Sequence, residues 1–264
     1  KLVNYWIDNN QNLLTNAFNH AIIANRISIL CMTYSWFAKS GKEEFQQKLL
    51  NSITQQLKIQ ELNFEQKNIH ENIAILKTLI LGNIFLFNDK EKINFYLKEV
   101  TRYSHKLILP DGGHVTRCPM SQFNMLRDLI EVRAAIAPIN EVESNDLHKT
   151  VKLMGNYFKM FCMPDGHYAF FNGGALIGKD DISQTKKRLG YNAKNFELAH
   201  NSGYARINQK NINLIIDVGN KEILNSNLLK NNKASIGSIE YYFKNKKIVT
   251  NLGDLSDLNK NISM

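Results

Sequence analysis

The feature that most constrains this chain is a change of hydrophobic period near residue 162. Before it, apolar side chains recur at intervals of three, four and seven; after Met163-Pro164-Asp165-Gly166 they alternate. The first spacing puts apolar groups on one face of a helix and the second puts them on one face of a strand. The expected fold class is therefore multidomain, α then β, with a helical domain over residues 1–162 and a β domain over residues 163–264.

The helical part reads as six helices. Residues 17–37 place Phe18, Ile22, Ile29, Met32 and Trp36 at helical spacing with no Gly or Pro, which predicts a long, heavily buried helix. Residues 43–57 repeat the pattern through Phe45, Leu49, Leu50 and Ile53, and residues 68–87 through Ile73, Leu76, Ile80 and Ile84. Residues 91–109 end at Pro110-Asp111-Gly112-Gly113, residues 120–137 end at Pro138, and a last helix covers 145–161. Short connections between helices of this length predict stacked antiparallel hairpins. No fixed-period repeat is present, which disfavours a regular solenoid.

In the second part, residues 167–171 read as a strand ending at Asn172-Gly173-Gly174. Residues 204–207 and 211–218 flank a turn at 208–210, and residues 238–243 and 246–251 form a hairpin across Lys244-Asn245. Four or five strands in this arrangement leave an open sheet edge. That edge, together with the start at Lys1-Leu2-Val3-Asn4, reads as truncation at both ends.

A chain of 264 residues with 44% hydrophobic content can bury a substantial core. Its longest apolar stretches, residues 27–32 and 79–87, fall short of the roughly 20 residues a membrane span needs, so no span is predicted. Cys31, Cys118 and Cys162 lie far apart without metal-ligand spacing, which argues against a zinc cluster and a disulfide framework. The net charge of +9 favours an anionic partner. Its lysines are also spread among abundant Asn and Ile, as AT-rich coding produces, and the short clusters at 186–188 and 244–247 are not interleaved with aromatics. Nucleic acid is therefore not the expected partner. Oligomeric state is not legible.

Three segments carry a family resemblance. The first is Leu109-Pro110-Asp111-Gly112-Gly113-His114-Val115-Thr116-Arg117-Cys118-Pro119-Met120, leading into a helix with Leu126-Arg127-Asp128-Leu129. The second runs from Asp165-Gly166 to Phe171-Asn172-Gly173-Gly174. The third is Ser202-Gly203-Tyr204-Ala205-Arg206 with Asp217-Val218-Gly219. Their order and spacing over residues 17–253 resemble heparinase II/III-like proteins of the proteobacterial type. The resemblance implies an incomplete (α/α) toroid of helical hairpins followed by the start of an antiparallel β-sandwich. It also implies a polysaccharide lyase of the bacterial cell envelope or periplasm, acting on an acidic, uronate-containing glycan by β-elimination. No cofactor is obligatory for that reaction. The alternative is a catalytically inactive glycan-binding or envelope-assembly protein on the same scaffold.

β-Elimination needs a base for the proton beside the carboxylate, a group that neutralises the carboxylate, and an acid for the departing oxygen. The catalytic candidates are His114, Tyr204 and His70; the substrate-binding candidates are Arg117, Arg206, Asn172 and His200. His114 follows two glycines, where the backbone could approach a ligand, and reads as catalytic or as loop-stabilising. Arg117 suits a carboxylate or sulfate, or pairs within the protein. Tyr204 and Arg206 share a strand face, so the phenol could be acidified by the guanidinium and act as base, or the pair could pack at the domain junction. Asn172 reads as a turn residue or a sugar ligand. His70-Glu71 match an upstream Asn-His pair of the family approximately, with the Asn replaced; an exposed helix-start His is the other reading. The tyrosine that the family places beyond the Pro is matched by Ser121 and Gln122, and its later sandwich His falls within residues 233–241, which contain none.

Overall fold

The computed structural model describes residues 1–10, 19–64, 69–139, 142, 144–194, 197–219 and 236–251. Within them lie eight helices followed by a five-stranded antiparallel sheet. The helices are α1 (Leu2–Asn9), α2 (His20–Phe37), α3 (Glu43–Asn63), α4 (Ile69–Leu86), α5 (Lys90–Leu107), α6 (Pro119–Ile136), α7 (Asn145–Met160) and α8 (Lys179–Leu189). The strands are β1 (Leu198–Ala199), β2 (Tyr204–Gln209), β3 (Ile212–Asp217), β4 (Ile239–Phe243) and β5 (Lys246–Val249). The α-then-β order expected from the periodicity is therefore present.

The chain divides into two compact units, residues 1–104 with 131–147, and residues 105–130 with 148–264. In the first unit α2 and α3 pack on α4. Ile23, Ala24 and Ile27 of α2, Leu49 and Ile53 of α3, and Leu76 and Ile80 of α4 form its core. A Cβ on Gly82 would collide with the Leu57 side chain, so a glycine lets α3 and α4 approach closely. Asn19 caps α2, its Oδ1 accepting from the Ala21 N–H at 3.0 Å.

The face of α2 differs from the expected one. Ile22, Ile29, Met32 and Trp36, the stripe predicted to be buried, are exposed, with Ile29 at 58% and Trp36 at 88%. The buried residues are Ile23, Ala24, Ile27 and Ser28. Apolar residues surround this helix on all sides, so the period identifies a helix without selecting a face, and packing against α4 selects it.

In the second unit the strands follow one another as a meander, β1-β2-β3-β4-β5. Tyr204 pairs with Asp217 and Arg206 with Ile215 across β2 and β3, while Ile215 pairs with Glu240 across β3 and β4. Lys244 and Asn245 both adopt positive φ, which closes the β4–β5 hairpin across the dipeptide the sequence singled out. The predicted strand at 167–171 is not one: it makes a single bridge, Cys162 to Tyr168, around the turn at Pro164-Asp165-Gly166. Tyr168, Ala169 and Phe171 are all buried there, so the segment fills the core instead of alternating. Phe123, Phe158, Phe161, Tyr168, Phe171 and Tyr204 form a continuous aromatic cluster. Helices α1 and α8 and strand β1 were not expected from the pattern.

Candidate functional site

The three segments that carry the family resemblance converge in the second unit on one buried hydrogen-bond network. Asp111 starts it. Its Oδ1 accepts from the Gly113 N–H at 3.0 Å, forming a local turn, and its Oδ2 accepts from the Ser202 N–H at 2.7 Å. The two glycines of this turn are required by close approach: a Cβ on Gly112 would meet the Leu153 carbonyl, and one on Gly113 would meet the Tyr157 ring. What approaches the turn here is α7.

Arg117 is the hub. Its Nε donates to the Ser202 carbonyl at 2.6 Å, its Nη2 pairs with Asp217, and both side chains of the pair are buried. The backbone of Arg117 has φ of 55°, which turns its carbonyl toward two donors: Tyr204 Oη at 2.7 Å and Asn172 Nδ2 at 3.1 Å. Asn172 Nδ2 also donates to Tyr204 Oη at 2.7 Å, and Asn172 itself takes a positive φ. Tyr157 Oη bonds Ser202 Oγ at 2.8 Å, and Asp217 Oδ1 also accepts from the Gly219 N–H at 2.9 Å. Buried ionic and polar groups survive in this way only when each has partners.

Tyr204 is 0% exposed. Burial pushes its phenol well above its ordinary value, with Asp217 and Tyr157 adding to the rise and Arg117 and the Asn172 bond opposing it. The acidification expected beside an arginine is thus reversed, because loss of water outweighs the nearby cation. Tyr204 is protonated at neutral pH and donates to the Arg117 carbonyl.

His114 is 4% exposed on the same loop. Its Nδ1 accepts from the Thr116 N–H at 3.2 Å and lies 2.7 Å from Thr116 Oγ1. An accepting Nδ1 assigns the proton of the neutral ring to Nε2. Arg206 lies apart from Arg117: its Nη1 donates to the carbonyls of Lys159 and Met160 at the end of α7, and its Nη2 donates to Asn213 Oδ1 at 2.9 Å. His200 is exposed in the turn that precedes Ser202. His70 lies in the first turn of α4, and its side chain is outside the described residues, as are residues 233–235 of the segment aligned with the sandwich His. Gln122, one of the two positions matched to the family tyrosine, is buried with Nε2 donating to the Met154 carbonyl at 3.2 Å.

The network thus brings together Arg117, Tyr204 and Asn172, with His114 on the adjoining turn. Its other members, Asp111, Tyr157, Ser202 and Asp217, were not singled out from the sequence for a role. Asp111, Ser202 and Asp217 belong to the resemblance segments, and an Asp one or two residues before a glycine, at Asp111-Gly112 and Asp217-Val218-Gly219, was the legible signal. Among the described residues, no group of three or more His, Cys, Asp or Glu is placed to hold a metal ion. Among them also, no helix is long and apolar enough to cross a membrane.

No family model matches the chain. It is similar to a crystal structure of heparinase III, with a TM-score of 0.72 over 96% of this chain and 46% of that one, at 14% identity. It is also similar to heparan sulfate lyase HepC from Pedobacter heparinus, with a TM-score of 0.65 over 96% of this chain and 44% of that one, again at 14% identity. The fold is heparinase-like. Among curated proteins, FtsZ-localized protein C of Caulobacter vibrioides (strain NA1000 / CB15N) is 27% identical over 127 residues, which cover 48% of this chain and 22% of that protein. The chain therefore spans less than half the length of these heparinase structures and about a fifth of the curated relative.

Proposed function

We propose that this protein is a heparinase II/III-like polysaccharide lyase of the cell envelope, acting on an acidic, uronate-containing glycan by β-elimination. The observation that carries the reading is the heparinase-like fold over nearly the whole chain. Conserved fold alone does not set chemistry, so the roles rest on the residues. His114, with its proton on Nε2, is the donor that neutralises the uronate carboxylate or protonates the leaving oxygen. Arg117, Asn172 and Tyr204 act as positioning residues, because their polar groups hold the loop that bears His114. Proton abstraction falls to an imidazole of the same unit, His200, the side-chain type that exchanges protons near neutral pH. Arg206 binds anions at a separate place.

The test is incubation of the protein with heparan sulfate, chondroitin, alginate and native envelope glycans while following the absorbance of the unsaturated product in the ultraviolet. New absorbance that His114→Ala lowers by about 100-fold or more is expected, the size typical of a lost acid–base or electrostatic group. Silence on every glycan sinks the lyase reading.

A second reading, a glycan-binding or envelope-assembly protein that does not cleave, is favoured by one specific observation. The positions matching the family tyrosine are Ser121 and Gln122, and Tyr204, a tyrosine of the network, is held protonated. This reading expects saturable glycan binding with no new absorbance. The curated relative over about half of this chain is named for its localisation with FtsZ and not for cleaving a glycan.

A further inference from the structure

A cavity of about 480 Å³ in the second unit lies away from the buried network, lined among others by Phe158, Lys159, Cys162, Lys186, Tyr191 and Arg206. Its size falls within the roughly 300–1,000 Å³ of small-molecule sites. None of its lining residues is acidic. Tyr191 closes one side because α7 has a glycine there: a Cβ on Gly155 would collide with the Tyr191 hydroxyl.

The three cations of this cavity have only uncharged partners. Arg206 donates to two main-chain carbonyls and an asparagine oxygen, while its Nε is buried with no partner among the described residues. Lys159 Nζ donates to the Ala193 carbonyl at 2.6 Å and lies 3.4 Å from Asn192 Oδ1. Lys186 lines the cavity together with the Cys162 thiol, which donates to the Phe158 carbonyl at 3.5 Å and which burial pushes up to about 11, keeping it neutral at pH 7. Among the described residues, no carboxylate forms an ion pair with any of the three. Burial lowers the pKa of Arg206, as expected for a guanidinium removed from water without a counter-charge.

We propose that this cavity is an anion-binding site for one oxyanion-bearing sugar unit, with Arg206, Lys159 and Lys186 around the oxyanion and Tyr191 offering aromatic surface to the ring. The shared chemistry is a carboxylate, sulfate ester or phosphate ester on a pyranose. An anion supplies the charge that the protein withholds, and the unpartnered Nε–H of Arg206 gains an acceptor. The site does not rest on the lyase reading, since none of its residues belongs to the proposed reaction.

Calorimetric titration of the whole chain with glucuronate, glucose 6-sulfate and glucose 6-phosphate, with glucose as the neutral control, tests it. At least one anionic sugar should bind saturably with a Kd in the millimolar range or tighter, weaken as salt rises, and outbind glucose at least tenfold. The preferred probe identifies the oxyanion. Lys186→Glu, a change at an exposed helical position, should weaken binding at least tenfold with the fold intact, and Arg206→Gln should do the same where it folds. Equal binding of glucose, no binding of any anionic sugar, or unchanged affinity in Lys186→Glu would overturn the proposal. Absence of lyase activity would not, so the two readings fail separately.

Discussion

Arg117 shows how one residue can look like a ligand-binding group in sequence and serve as an internal brace in the fold. A guanidinium after a Gly-Gly-His turn suits a sugar carboxylate. Here Asp217, 100 residues on, and the Ser202 carbonyl, 85 residues on, occupy it instead, both too remote for spacing to suggest. Removing one partner of such a buried pair strands the other, at about 3–5 kcal/mol. Arg117→Ala is therefore expected to lower unfolding free energy by about that amount in denaturant titration, and Arg117→Ala with Asp217→Ala should cost clearly less than the sum of the single changes. Additive costs would show that the pair is not coupled. Glu240 supplies a second residue-scale test. It is fully buried, its Oε1 accepts from the Phe170 N–H at 3.0 Å, and its Oε2 has no partner among the described residues. Burial raises its pKa, against the opposing effect of the Phe170 bond, Lys247 and Thr250. A carboxyl raised on folding contributes stability that is present below its unfolded value and is lost as pH rises through the folded one. Glu240→Gln keeps the neutral shape at every pH. Its Tm should exceed that of the parent chain at about pH 7, and the gain should vanish below about pH 4, near the ordinary carboxylate range; a gain independent of pH would contradict this origin.

At the scale of elements, α2 and α8 were misread for opposite reasons. In α2 nearly every side is apolar, so the spacing of Ile22, Ile29 and Trp36 was as good a helical stripe as that of Ile23 and Ile27. Only the neighbours α3 and α4 decide between them. Ile27→Ala should then cost about 2–5 kcal/mol, whereas Ile29→Ser should stay within about 0.5 kcal/mol. Equal losses in thermal unfolding would mean that both faces are covered. In α8 the stripe is minimal, Ile182, Thr185 and Leu189, within a mostly charged segment. Its signals lay elsewhere: Asp180 and Asp181 in the first turn, Lys186, Lys187 and Arg188 in the last, and Gly190 with φ of 77° as the C-terminal cap. The short basic cluster at 186–188 is the charge complement of a helix end, and its Lys186 lines the anion cavity.

For the molecule as a whole, sequence by itself determined the class and the order of parts. Helical spacing up to about residue 161 and alternation in the β2–β5 region are local consequences of side-chain direction, and each can be read without knowing what lies opposite. It also singled out Asp111-Gly112-Gly113, Asn172-Gly173 and Asp217-Val218-Gly219, through their order and spacing in the family resemblance. Tertiary structure decided what they are for. Hydrogen bonds of Arg117 to Ser202 and Asp217, and of Asn172 and Tyr204 to the Arg117 carbonyl, join segments far apart in the chain, and no local pattern encodes such a meeting. Burial likewise decided that Tyr204 keeps its proton and that Arg206 meets α7 carbonyls, because desolvation depends on everything packed around a group and not on its neighbours in sequence.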